Sequence, residues 1–242
     1  MTVLITGASA GFGEAMCRTF VRAGFRVVGA ARRMDKLQGL RDELGGSFYP
    51  LELDLTDRPS VAAALASLPP PFDEIDCLIN NGGLALGLDA ADRADFADWE
   101  TMIETNVLGL AYLTRLVLPQ MTARRDGYIA GTYPYPGGNV YGATKAFVRQ
   151  FSLNLRADLQ GTGVRVSNVE PGLCGGTEFS NVRFKGDDGR AAKVYENVQP
   201  VTPQDIADTV LWLYRRPKHV NVNAIEIMPT AQAFGALPVW RE

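Results

Sequence analysis

The sequence predicts a single α/β domain of the Rossmann-like, doubly wound type, with a mostly parallel sheet of about seven strands. Three observations carry this expectation. Short apolar runs alternate with amphipathic helical stretches along the whole chain. A glycine-rich turn follows the first run and opens the first helix. The 242 residues, 46% hydrophobic and 21% charged, suit one large core over residues 1–242 rather than two domains.

The apolar runs read as buried strands are Val3–Thr6, Arg26–Ala30, Phe48–Leu53, Cys77–Asn80, Tyr128–Gly131, Arg165–Val169 and Ala224–Met228. Between them, helical periodicity covers Gly13–Ala23, Lys36–Leu44, Pro59–Leu68, Asp98–Thr122, Val140–Gln160 and Pro203–Tyr214. The stretch from Asp98 to Thr122 reads as two helices or one bent one. Thr202-Pro203 supplies a cap followed by proline at the first helical position, and Thr56-Asp57 places cap chemistry ahead of Pro59. The segment 172–202, rich in glycine, asparagine and charge, is predicted to be a substrate lid, because long irregular stretches in a compact domain usually serve function.

Composition excludes several classes. The net charge of -3, without a long run of one sign, gives no footprint for nucleic acid or a membrane surface. No apolar stretch approaches the roughly 18 residues of a membrane span, and the amino terminus lacks the pattern of a signal peptide. Cys17, Cys77 and Cys174 are far apart and odd in number, without disulfide or zinc spacing, and the one histidine, His219, falls in a predicted loop. A cytoplasmic protein with a small-molecule substrate is expected.

Tyr141 and Lys145 stand four residues apart on a predicted helix and therefore share a face. A nearby ammonium lowers the pKa of a phenol, and such a phenol can exchange a proton with an alcohol or carbonyl oxygen near neutral pH. The pattern alone also fits a solvated helix face. Its context is the turn Thr6-Gly7-Ala8-Ser9-Ala10-Gly11-Phe12-Gly13, whose glycines let backbone N–H groups approach a pyrophosphate at a helix N-terminus. At the end of the second strand, where an NAD site usually carries a carboxylate, stand Arg32 and Arg33. Guanidinium groups suit a ribose 2′-phosphate, so NADP(H) is the expected cofactor, with a solvated helix start as the alternative. Asp54 fits a contact to the adenine amino group, or a helix cap.

These residues together resemble the short-chain dehydrogenase/reductase family in its classical subgroup. The matching motifs are Thr6-Gly7-x-x-x-Gly11-x-Gly13, Asp54-Leu55, Asn80-Asn81-Gly82-Gly83, Asn106, Tyr141-x-x-x-Lys145 and Pro171-Gly172. The stretches 137–156 and 170–188 are most similar to bacterial NADP-dependent 3-hydroxy acid dehydrogenases, which act on serine, allo-threonine and related acids and reduce malonic semialdehyde. The resemblance implies that Tyr141 is the general acid/base, that Lys145 lowers its pKa and binds the nicotinamide ribose, and that Asn106 holds a relay water. It further implies that Gly7, Ser9, Gly11, Phe12, Gly13, Asn81, Gly82, Pro171 and Gly172 line the cofactor, and that the chain forms a homo-oligomer, commonly a tetramer.

The resemblance also carries an expected defect. The family places a serine about a dozen residues before the tyrosine, and no serine lies between Gly127 and Tyr141. Thr132 is the only aliphatic hydroxyl there. A loop short enough to bring Thr132 to Tyr141, a site without its second donor, and a reshaped pocket all remain open, so a weakened enzyme or a dinucleotide-binding pseudoenzyme is the alternative function. Arg183 in the lid is a candidate clamp for a substrate carboxylate, with a solvated loop charge as its alternative. The tail 228–242, apolar and interrupted by proline, is expected to pack on the body or on a neighbouring subunit.

Overall fold

The computed structural model describes residues 1–87, 89, 93–131 and 139–232. Seven strands form one sheet in the order β3-β2-β1-β4-β5-β6-β7, and every registered pair is parallel. They are β1 (Thr2–Thr6), β2 (Arg26–Ala31), β3 (Phe48–Glu52), β4 (Cys77–Ile79), β5 (Gly127–Gly131), β6 (Val164–Pro171) and β7 (Ala224–Ile227). The helices are α1 (Gly11–Arg22), α2 (Met34–Leu44), α3 (Arg58–Ala66), α4 (Phe96–Ile103), α5 (Leu110–Arg124), α6 (Asn139–Asp158), α7 (Phe179–Arg183), α8 (Asp188–Lys193) and α9 (Pro203–Tyr214). Each strand boundary lies within two residues of its predicted place at either end; β1, β2, β4 and β6 are buried along nearly their whole length, and such a strand must be apolar without interruption.

Alternate residues of the central strands serve two cores. Val3, Ile5 and Val27 join Phe20 of α1, Leu37 of α2 and Val210 of α9 on one face. Leu4 and Val28 join Val61 of α3, Val117 of α5 and Leu155 of α6 on the other. This is the doubly wound arrangement, and it places a crevice beyond the carboxyl ends of β1 and β4, where the strand order reverses.

The stretch from Asp98 to Thr122 carries two α-helices, α4 and α5, without an intervening loop. A segment with π-type hydrogen bonding, Glu104–Gly109, joins α4 directly to α5. Helix starts follow the expected chemistry. Thr202 and Asp205 form a reciprocal capping box at α9. Asp57 accepts a 3.1 Å bond from Ser60 N at α3. The segment 172–202 is less irregular than its composition predicts, since it contains α7 and α8. Among the described residues no helix is long and apolar enough to cross a membrane. Of the tail, residues 233–242 lie outside the described residues.

Candidate active site

The crevice at the strand reversal is a cleft of about 750 Å³. The glycine-rich turn forms one wall. Gly7 takes φ +66°, which only glycine adopts without strain, and a Cβ on Gly13 would stand 2.1 Å from Gly7 O. The turn leads into α1, whose N-cap residue Ala10 offers no side-chain bond. The first-turn N–H groups therefore lack a side-chain acceptor, and they fit an anionic pyrophosphate. Asn81 braces the turn from β4, donating to Thr6 O at 2.9 Å, while Gly82 N donates to Thr6 Oγ1 at 2.8 Å. Ser9, Gly11 and Phe12 line the cleft, as do Leu55, Asn81 and Gly82. Gly13 acts one layer back, through its close packing against Gly7.

At the end of β2, Arg32 and Arg33 both reach the cleft. Their surroundings differ. Arg33 donates to Ser9 Oγ at 3.2 and 3.1 Å and to the Glu178 carboxylate at 3.1 and 2.7 Å. Arg32 is exposed, and among the described residues it makes no hydrogen bond or ion pair. With no carboxylate at the strand end and one open guanidinium, the residues present fit an NADP cofactor. Asp54 also lines the cleft, and one of its oxygens is held locally by Thr56 N at 2.9 Å and Thr56 Oγ1 at 2.8 Å.

Tyr141 and Lys145 lie in the first turns of α6 and face the same cleft. The Lys145 ammonium stands 5.4 Å from the centre of the Tyr141 ring. Lys145 as a whole keeps partial exposure, but its ammonium is enclosed by protein, and this desolvation lowers its pKa to about 8. A Cβ on Gly83 would stand 3.0 Å from Asn106 Oδ1 and 3.6 Å from Lys145 Nζ, so the bare glycine lets these groups converge. Asn106 is 1% exposed. Its Oδ1 accepts from Leu84 N at 2.9 Å, and its Nδ2 donates to Leu84 O at 2.8 Å and Thr144 Oγ1 at 3.2 Å. Both amide protons are thus spent on structure, and only acceptor capacity remains for a relay water.

The lid supplies residues that sequence reasoning missed. The Phe179 ring packs 5.8 Å from the Tyr141 ring. Ser180, 4% exposed, shares a 2.6 Å hydroxyl–hydroxyl bond with Tyr195, and both line the cleft. The expectation of a site without a serine hydroxyl is therefore corrected: a buried serine–tyrosine pair reaches the cleft from the segment after β6, and not from the strand before Tyr141. The impaired-site alternative rested on that absence and falls with it. Thr132 itself lies outside the described residues. Arg183 is 9% exposed and lines the cleft, which removes its reading as a solvated loop charge. Pro171 and Gly172 close the far wall, with Gly172 N bonded to Ile227 O at 2.7 Å. Gln232 Oε1 accepts from Leu173 N at 2.6 Å, so the start of the tail folds back on this wall.

Comparison with known proteins agrees with this geometry. Residues 1–188 match the family model for short chain dehydrogenases. The chain is 60% identical to a probable NADP-dependent dehydrogenase of Haemophilus influenzae, over 100% of its own length and 98% of the relative's. It is 55% identical to an NADP-dependent 3-hydroxy acid dehydrogenase of Escherichia coli K12, over the full length of both. The closed form of a serine dehydrogenase complexed with NADP+ superposes with a TM-score of 0.98 at 54% identity, covering both chains completely. The fold, the cleft and these matches together place the chain in the short-chain dehydrogenase/reductase family.

Proposed function

We propose that the protein is an NADP(H)-dependent oxidoreductase that interconverts small 3-hydroxy acids and the matching oxo acids or semialdehydes. The observation that carries this reading is the meeting, in one cleft, of the Tyr141/Lys145 pair with an uncapped helix N-terminus and an open guanidinium at the end of β2. When bound, the cofactor supplies or accepts a hydride at its nicotinamide. The protein's own residues handle binding and the proton.

Tyr141 gives its proton to the carbonyl oxygen during reduction and takes it back during oxidation. Lys145, one turn along α6, favours the phenolate through its charge and is a natural donor to ribose hydroxyls. Asn106 fixes the loop at Leu84 and offers an acceptor to a water that returns the proton to solvent through Lys145. Gly7, Ser9, Gly11, Phe12 and Gly13 cradle the pyrophosphate, Arg32 and Arg33 flank the 2′-phosphate end, and Asp54 and Leu55 border the adenine. Asn81, Gly82, Pro171 and Gly172 border the nicotinamide half. Arg183, a cation buried in the cleft, is the group suited to a substrate carboxylate, and relatives named for 3-hydroxy acid and serine oxidation support that class.

The lid is residues 172–202 and the tail 228–242. The working form is a cytoplasmic homo-oligomer, a tetramer by family resemblance. Exposed Ile103, Leu108, Phe147 and Leu153 on the α4–α6 layer offer apolar surface for subunit contact. Light scattering at four times the 26.3 kDa chain mass would agree with the tetramer.

The test is NADP+ reduction with serine, allo-threonine and related 3-hydroxy acids, and NADPH oxidation with malonic semialdehyde. Tyr141→Phe should lower kcat by about 10²–10⁴ while NADPH binding persists. Wild-type protein that binds NADPH but turns over none of these compounds would reject the reading.

A further inference from the structure

The two arginines at the end of β2 are not equivalent. A guanidinium carries five N–H donors. In Arg33, four of the five are engaged, two with Ser9 and two with Glu178. The edge of the fork that would grip a phosphate already holds a carboxylate in the same planar geometry. Glu178 lies 145 residues further along the chain, at the start of the lid. The bond therefore joins the rim of the cofactor turn to the segment after β6, across the mouth of the cleft. The neighbouring lid residue Thr177 fits against the same turn, since a Cβ on Gly11 would stand 3.1 Å from its side chain.

The middle of the lid is tied separately. Lys185 pairs with Asp98 at 2.8 Å, and Gly87 N donates to Arg183 O at 3.1 Å. Between the two ties lie Phe179 and Ser180, which line the cleft. Each partner of the Arg33–Glu178 pair favours the charged form of the other, holding the carboxyl below and the guanidinium above its ordinary pKa.

We propose that Arg33 and Glu178 form an ionic latch that holds the lid shut over the adenosine end of the cleft. The latch is 42% and 53% exposed, so it is weak enough to open for cofactor exchange and is screened by salt.

The experiment uses two variants: Glu178→Gln and the charge swap Arg33→Glu with Glu178→Arg. Hydrogen exchange of residues 177–185 is followed in cofactor-free protein at low and high salt. At low salt, Glu178→Gln should exchange about two- to five-fold faster than wild type, and the swap should return towards wild type. At high salt wild type and Glu178→Gln should converge, because screening opens the pair. Unchanged exchange in Glu178→Gln, or a swap that exchanges as fast as Glu178→Gln, would overturn the proposal.

Discussion

Replacing Lys145 by methionine keeps a long unbranched side chain in the cleft and removes its charge. Enclosure lowers the lysine pKa from 10.5 to about 8. At 1.36 kcal/mol per unit, the charged lysine costs the cofactor-free fold at most about 3 kcal/mol at neutral pH. Loss of the cation over the Tyr141 ring offsets some of this, about 1 kcal/mol at most. Lys145→Met should therefore stabilise the cofactor-free protein by roughly 2 kcal/mol, about 4 °C in Tm for a chain of this length. The sign with pH follows from linkage. The unfolded chain binds the proton more tightly than the folded one, so the cost is fully present below pH 8 and fades as pH rises towards 10.5. The measurement is thermal unfolding of wild type and variant from pH 7 to 10.5, with NADPH turnover alongside. A variant that is less stable at pH 7, or an advantage that does not shrink across this range, would refute the reasoning. Turnover should fall at the same time, a site maintained at the expense of stability.

Other outcomes follow from the same geometry. Asn106→Ala should cost about 3 kcal/mol in chemical denaturation, because it strands the Leu84 N–H and C=O. Gly13→Ala should weaken NADPH binding about 10- to 100-fold by titration, since its methyl would meet Gly7 O and push the turn away from the cofactor. Thr202→Ala should lower stability by about 1 kcal/mol through loss of the capping box at α9, with NADPH affinity unchanged.

What the sequence disclosed is what short-range patterns encode. Strands buried on both faces leave apolar runs, so β1, β2, β4 and β6 were legible nearly to the residue. Thr202 and Asp57 announced helix starts because a cap is a local bond. The Tyr141/Lys145 pair was visible because one helical turn fixes it. The rest depends on contacts between distant segments. Glu178 and Arg33 meet across 145 residues, and neither has a sequence context that names the other. Ser180 and Tyr195 were missed because the search for a serine was confined to the strand before Tyr141. A pattern of aromatic and hydroxyl residues recurring through 177–195 was the available signal. The π-type turn at Glu104–Gly109 left no distinctive mark either, since surroundings decide which carbonyl each N–H finds.

Because all seven strands run the same way, every adjacent pair is separated by a crossover through another part of the chain. The cleft accordingly gathers groups from Thr6 to Gln232. No fragment ending before β6 contains a whole site, and a chain emerging from the ribosome gains cofactor affinity only near its end. The dinucleotide then acts as an inspector of finished molecules: it binds the complete native state alone, and its cellular concentration draws partly folded chains towards completion by mass action.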